Sequence, residues 1–144
     1  MLTEAPSLAT EILLLEKSPD EISLIKEATP DRNLSVVPEC PDIICFLRKQ
    51  GKYANAPRPD LILLDLDLSL PEDCEMLTEL KKDPEFRRIP VVVLASSENA
   101  TEVFQAYDLH ANAYIRKPSE REEYVRVLRA TLHFWLALVR LPKE

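Results

Sequence analysis

Five short apolar runs, each followed by a segment of helical period, organise the chain. The runs are Glu11–Leu15 (EILLL), Leu34–Val37 (LSVV), Leu61–Leu64 (LILL), Val91–Ala95 (VVVLA) and Ala113–Ile115 (AYI). Stretches such as ILLL, LILL and VVVL have no polar alternate, the pattern of parallel strands covered on both faces. The intervening segments carry helix starts. Ser18-Pro19-Asp20-Glu21 supplies an N-cap, a proline at the first helical position and a capping-box glutamate. Asn99-x-x-Glu102 and Ser119-x-x-Glu122 repeat the capping-box spacing, and Asp83-Pro84 stops the third helix. Gln50–Pro59 is the longest loop. The prediction is an α/β fold of (βα)5 type: a doubly wound, five-stranded parallel sheet in the flavodoxin-like order 2-1-3-4-5, with right-handed crossovers. It forms one domain over residues 1–144, with its core at about 11–141.

Composition narrows the function. With 144 residues the chain suits one self-sufficient core. A formal net charge of −7 argues against nucleic acid or an anionic membrane face as partner. No apolar run reaches the ~20 residues of a membrane span and the acidic start is no signal peptide, so a cytoplasmic location is expected. The single glycine, Gly51, excludes the usual phosphate-cradling loops of nucleotide sites. Cys40, Cys45 and Cys74 form no C-x-x-C and only His110 and His133 accompany them, so zinc spacing is absent and reduced thiols are expected.

In open parallel sheets ligands sit beyond the carboxyl ends of the strands. There the chain places Glu16 and Lys17 after the first strand, Asp65 and Asp67 after the third, Ala95, Ser96 and Ser97 at the fourth, and Arg116-Lys117-Pro118 after the fifth. Acids, hydroxyls and a lysine converge on one edge.

The segments ILLLE, PDLILLDLDL, KKDPEFRRIPVVVLAS and ANAYIRKP, in that order, resemble the receiver domain of two-component response regulators. FLRKQGKYANAPRPD and HFWLALVRLP are similar to the single-domain regulators that partner phytochrome-type histidine kinases. The resemblance implies that Asp65 accepts a phosphoryl group from a histidine kinase, with the charge of the transition state met by Lys117 and Mg²⁺. It implies Glu16, Asp65 and the Asp67 carbonyl as metal ligands, a cis bond before Pro118, and a switch built from the end of the fourth strand and Tyr114. Apart from its own phosphoryl transfer and dephosphorylation, such a protein is not an enzyme. No output domain follows Glu144, so a stand-alone receiver is expected.

Two positions depart from the family pattern. Lys17 stands where a second acid often ligates the metal, so Mg²⁺ should bind weakly, and its ammonium could pair with Asp65 or Glu16. Ala95 stands where a Thr or Ser hydroxyl would hold the phosphoryl oxygen, and strand alternation should turn Ser96 elsewhere. The alternative function is therefore a receiver-like interaction module that docks without phosphorylation. Asp65-Leu-Asp67-Leu-Ser69 also resembles the start of haloacid-dehalogenase-type phosphatases, but the acidic pair that fold needs downstream of its lysine is missing. His110 reads as a cation or tip residue at the fourth helix's C-terminus and not as a ligand.

The last helix carries two adjacent apolar stripes, one of Tyr124, Val127, Thr131, Phe134, Leu138 and Leu141, the other of Val125, Leu128, Leu132, Trp135 and Val139. One stripe covers the sheet. The other, with Phe134, Leu138 and Leu141 beside Trp135, is expected to pair with a second copy in a homodimer.

Overall fold

The computed structural model describes residues 11–139. Five parallel strands, β1 (Glu11–Leu15), β2 (Asn33–Val37), β3 (Leu61–Asp65), β4 (Val91–Ala95) and β5 (Ala113–Arg116), form one sheet in the order 2-1-3-4-5. Helices α1 (Pro19–Ala28), α2 (Cys40–Leu47), α3 (Pro71–Lys82), α4 (Ala100–Asp108) and α5 (Arg121–His133) connect and follow them. This is the doubly wound, flavodoxin-like order expected from the sequence.

Alternation along the strands splits the core in two. Leu13, Leu15, Ile62, Leu64, Val91 and Val93 pack with residues of α2, α3 and α4, such as Ile43, Leu77 and Ala106. Ile12, Leu14, Leu61, Leu63, Val92 and Leu94 pack with Leu24 and Ile25 of α1 and with Val125 and Leu128 of α5. The three central strands are buried almost throughout, which is why their sequences carry no polar alternate. At the amino-terminal edge the Lys81 ammonium donates to the carbonyls of Arg87 and Ile89 and to Asn112 Oδ1, each at 3.0 Å. It ties the end of α3 to the loops before β4 and β5.

The caps at α1 and α4 fall where the sequence sets them, but none of the three predicted capping boxes closes; at α4 the Asn99 amide donates to Ser97 Oγ and not to Glu102. Ser18 caps α1 by accepting from the Glu21 amide at 3.4 Å, and Asn99 caps α4 by accepting from the Thr101 amide at 2.8 Å. The Ser18 amide, however, donates to Glu16 Oε1 and not to Glu21, so the expected capping box is only half formed. The start of α5 falls one residue later than Ser119-x-x-Glu122 predicts, with Glu120 as an N-cap that makes no side-chain cap. The Lys117–Pro118 bond is trans, against the expected cis bond: no described residue follows a cis peptide.

The second stripe of α5 is buried as predicted at Val125, Leu128 and Leu132, but the helix does not run on unchanged. Phe134–Leu138 form a wider π turn, which shifts the phase of the side chains. Tyr124, placed in the outward stripe, is buried, and Trp135, placed beside the partner face, packs partly against the molecule's own core. Phe134 and Leu138 stay out, 48% and 64% exposed. Leu141, the third expected interface residue, lies outside the described residues.

With one glycine in the chain, left-handed backbone falls to other residues. His110 closes α4 at φ 73° and Lys49 ends α2 at φ 55°. The C-terminal place read for His110 is where it stands, and its cost is conformational. A non-glycine residue there is disfavoured by roughly 1–2 kcal/mol, against roughly 0.5–1 kcal/mol of extra unfolded-state entropy for glycine. His110→Gly should therefore stabilise the fold by about 0.5–1 kcal/mol in urea unfolding; a loss of stability would show that the imidazole makes a compensating contact.

Candidate functional site

The register brings the functional edge together. Leu15 of β1 pairs with Leu64 of β3, so Glu16 and Asp65 emerge side by side, while Ala95 pairs with Arg116 and leaves Lys117 next in line. Backbone bonds continue one residue past the strands: the Glu16 amide donates to Val37 O at 3.0 Å and the Lys117 amide to Ala95 O at 2.8 Å. Both side chains thus leave from fixed backbone.

The Lys117 ammonium, 12% exposed, lies 2.6 Å from Asp65 Oδ2 and 3.0 Å from Glu21 Oε1. Burial alone would lower its pKa, but the hydrogen bonds to Asp65 and Glu21 outweigh that and hold it above the ordinary lysine range. Glu16 is the buried acid of the set, 7% exposed. Its Oε1 accepts from the amides of Lys17 and Ser18 at 3.0 Å, while Oε2 has no hydrogen-bond partner. Burial first, and then the hydrogen bond and charge of Asp65, push its pKa up to about 8. Carboxylate atoms of Glu16, Glu21 and Asp65 all lie within 4.8 Å of one another.

A cleft of about 620 Å³ opens in front of Glu16 and Asp65. Seven acids line it (Glu16, Glu39, Asp65, Asp67, Glu72, Asp73 and Glu102) against one lysine, Lys17. Such a surface attracts cations and repels an approaching phosphoryl group unless a cation is present.

The other predicted residues divide. Lys17 turns outward, 72% exposed, and pairs with Glu39 at 3.3 Å; it reaches neither Asp65 nor Glu16. The Asp67 side chain is exposed and folded onto Ser69, whose hydroxyl and amide hold it below the usual carboxylate range. Its carbonyl accepts from the Leu70 amide at 3.0 Å and keeps a second lone pair. Ala95 is buried and brings a methyl to the cleft. Ser96 lines the same cleft, against the expectation from alternation, because β4 ends at Ala95 and alternation ends with it. Tyr114 is half-buried and donates its hydroxyl to Ser97 O at 2.6 Å, so it is packed inward here.

Two participants were missed. Glu21 enters the sequence pattern only as a helix-start residue. It precedes Leu24 and Ile25 by three and four positions, so it shares their sheet-facing stripe one turn nearer the strand ends, a signal present in the sequence. Asp73, buried in the first turn of α3, accepts the Asp67 amide at 2.8 Å and the Cys40 thiol at 3.5 Å. Burial and then the charge of Asp73 push that thiol up to about 12, so Cys40 stays protonated and is no nucleophile.

The donor set suits a hard divalent cation. Three carboxylates face one ammonium, and one oxygen of the buried Glu16 carboxylate is orphaned within the set.

Comparison with known proteins gives one family. The response regulator receiver domain matches residues 12–129. Response regulator Rcp1 of Synechocystis sp. is 39% identical over 135 residues, 91% of this chain and 92% of that protein. The structure of the phosphorylated cyanobacterial phytochrome response regulator RcpA superposes with a TM-score of 0.84 at 41% identity, covering 94% of this chain and all of that one. The Mn²⁺-bound form of Rcp1 gives 0.83 at 38% identity, covering 92% and 98%. Among the described residues no helix is long and apolar enough to cross a membrane.

The raised pKa of Glu16 makes stability depend on pH. With divalent cations removed, the folded chain holds a proton that the unfolded chain releases between the ordinary value of 4.5 and about 8. The stabilisation is full below that window and is lost as pH rises through it. Unfolding free energies should fall by an amount on the order of 1–3 kcal/mol from about pH 5 to about pH 8.5, and Glu16→Gln should flatten that slope. An unchanged slope in the variant would refute the assignment.

Proposed function

The chain belongs to the response regulator receiver domain family, and on that premise we propose that it relays a two-component signal by accepting a phosphoryl group on Asp65 from a histidine kinase. The observation that carries the reading is the Asp65–Lys117 pair, 2.6 Å apart at the carboxyl edge of the sheet. The likeness to Rcp1 and RcpA supports a phytochrome-type kinase as donor.

The chemistry follows from the placement. An Asp65 oxygen attacks phosphorus, the bond from phosphorus to the donor imidazole nitrogen breaks, and the nitrogen keeps the electron pair and is protonated. The product is an acyl phosphate. Lys117 starts on Asp65, so it can follow the charge onto the phosphoryl oxygens with little reorganisation. Glu16, Asp65 and the Asp67 carbonyl would hold Mg²⁺ or Mn²⁺, which supplies the positive charge that lets a phosphoryl group enter a cleft lined with acids. Asp73 fixes the Asp67 amide and so the loop bearing that carbonyl.

A second reading rests on Ala95, whose methyl offers no hydrogen bond to a phosphoryl oxygen. It is a receiver that docks to its partner without being phosphorylated. Incubation with acetyl phosphate, with and without Mg²⁺, followed by borohydride trapping and mass spectrometry, separates the two. The expected label lies on Asp65, needs Mg²⁺ and vanishes in Asp65→Asn. Label on Asp67 or Glu16 refutes the assignment, and no label selects the docking reading.

We also propose that two copies pair through the end of the chain. Phe134 meets Trp135 edge to face with ring centroids 5.3 Å apart, and Phe134 and Leu138 are left in water. Burying each large apolar side chain is worth roughly 1.5–3 kcal/mol, and a two-fold contact uses each residue twice. Sedimentation of the native chain at micromolar concentration should give a dimer, and Phe134→Glu with Leu138→Glu a monomer. A native monomer, or a dimer that the double variant leaves intact, counts against this interface.

A further inference from the structure

We propose that Glu21 is a direct ligand of the divalent cation in this chain, in place of the carboxylate that Lys17 does not supply. The inference deepens the phosphoacceptor reading and shares its site, yet it rests on different atoms.

Glu21 is freed for this part by a local exchange. Glu16 Oε1 takes the Ser18 amide that a capping-box glutamate would otherwise accept, so the Glu21 carboxylate turns from its own helix to the sheet edge. There it stands with Asp65 and Glu16, one oxygen from each within 4.8 Å of the others. An octahedral Mg²⁺ or Mn²⁺ with bonds of about 2.1 Å sets neighbouring oxygens about 3 Å apart, so the carboxylates would draw together on binding.

The independent sign of a missing cation partner is Glu16 Oε2. It belongs to a residue 7% exposed, its sister oxygen is tied to two backbone amides, and it has no donor: Asp65 meets this carboxylate only by sharing a proton with it, the place a cation would take. A second buried orphan, the Tyr124 hydroxyl, lies in the field of the same three acids. Buried polar atoms without partners are few in folded proteins, and here both border one cluster. Lys17, pointing out to Glu39, neither blocks the cation nor ligates it. Lys117 spans both Glu21 oxygens, 3.0 Å from Oε1 and 3.2 Å from Oε2. A carboxylate has roughly four lone-pair sites, so Glu21 can keep one bond to Lys117 and turn a free lone pair to the cation.

The test is calorimetric titration of the full chain with Mn²⁺ alone, each variant first checked for native circular dichroism and melting. Glu21→Gln should weaken Mn²⁺ by about tenfold or more, the scale on which a lost site carboxylate is felt, while Lys17→Ala changes it less than about threefold. Lys117→Met breaks the same ion pair from the other side and should bind Mn²⁺ at least as tightly as the native chain. Native-like affinity in Glu21→Gln overturns the assignment, as does failure of the native chain to bind Mn²⁺. An equal loss in Lys117→Met also overturns it, since Glu21 would then act only by placing the lysine. Acetyl phosphate labelling is scored separately. A Glu21-dependent Mn²⁺ site with no label on Asp65 sinks the proposed function and leaves this inference standing, and the reverse result does the opposite.

Discussion

Strands β1, β3 and β4 are covered on both faces, and that constraint arranges everything polar in the molecule. A strand enclosed by helices on each side offers no place for a charge along its length. Charges must gather where the strands end, and in a parallel sheet all carboxyl ends lie on one edge. Glu16, Asp65 and Lys117 each stand at or just past the last ladder position of their strands. Their convergence is therefore a product of core burial and register. Loop design contributes little to it.

Convergence at that edge creates an electrostatic problem that the molecule solves only in part. Lys117 is buried enough to be costly unless paired, and it is paired twice. The acids outnumber it. Glu16 answers with a raised pKa and a proton, the response of a buried carboxylate whose neighbours are also negative. A proton and a divalent cation compete for that surplus charge, so acid that stabilises the fold should also oppose metal binding.

The fold was legible because burial writes itself into sequence so directly: short apolar runs, three of them without a polar alternate, gave all five strands to within one residue at either end. Asp65, Lys117 and Glu16 were legible as strand-end residues, although their roles came from resemblance to a family. What escaped depended on where long side chains turn. Lys17 could have pointed inward to Asp65 or outward to Glu39, and one backbone position serves both. Glu21 looked like a capping residue because the competing acceptor for the Ser18 amide, Glu16, belongs to the preceding strand. The π turn at Phe134–Leu138 escaped for a similar reason: a 3.6-residue period extends a stripe smoothly, and nothing in HFWLALV announces a wider turn.

Lys17 and Glu21 are best understood together. A lysine at position 17 in a site that needs negative ligands would be a direct repulsion if the side chain stayed inside. Its exit to Glu39 costs little, since an exposed pair contributes about 0–1 kcal/mol either way. The lost carboxylate is a different matter, because two acids and a carbonyl leave a hard cation more dependent on water. An acid one helical turn before Leu24 and Ile25 reaches the same space from α1, carried on a rigid element whose apolar face is fixed against the sheet. A ligand on the helix is held at a set distance from β1 and β3, where one in the first loop moves with that loop. With Glu21 as the proposed ligand, control of the site would shift from the β1–α1 loop to the packing of α1 on α5 and the sheet. Changes at that packing, far from the cleft, would then be felt at Asp65.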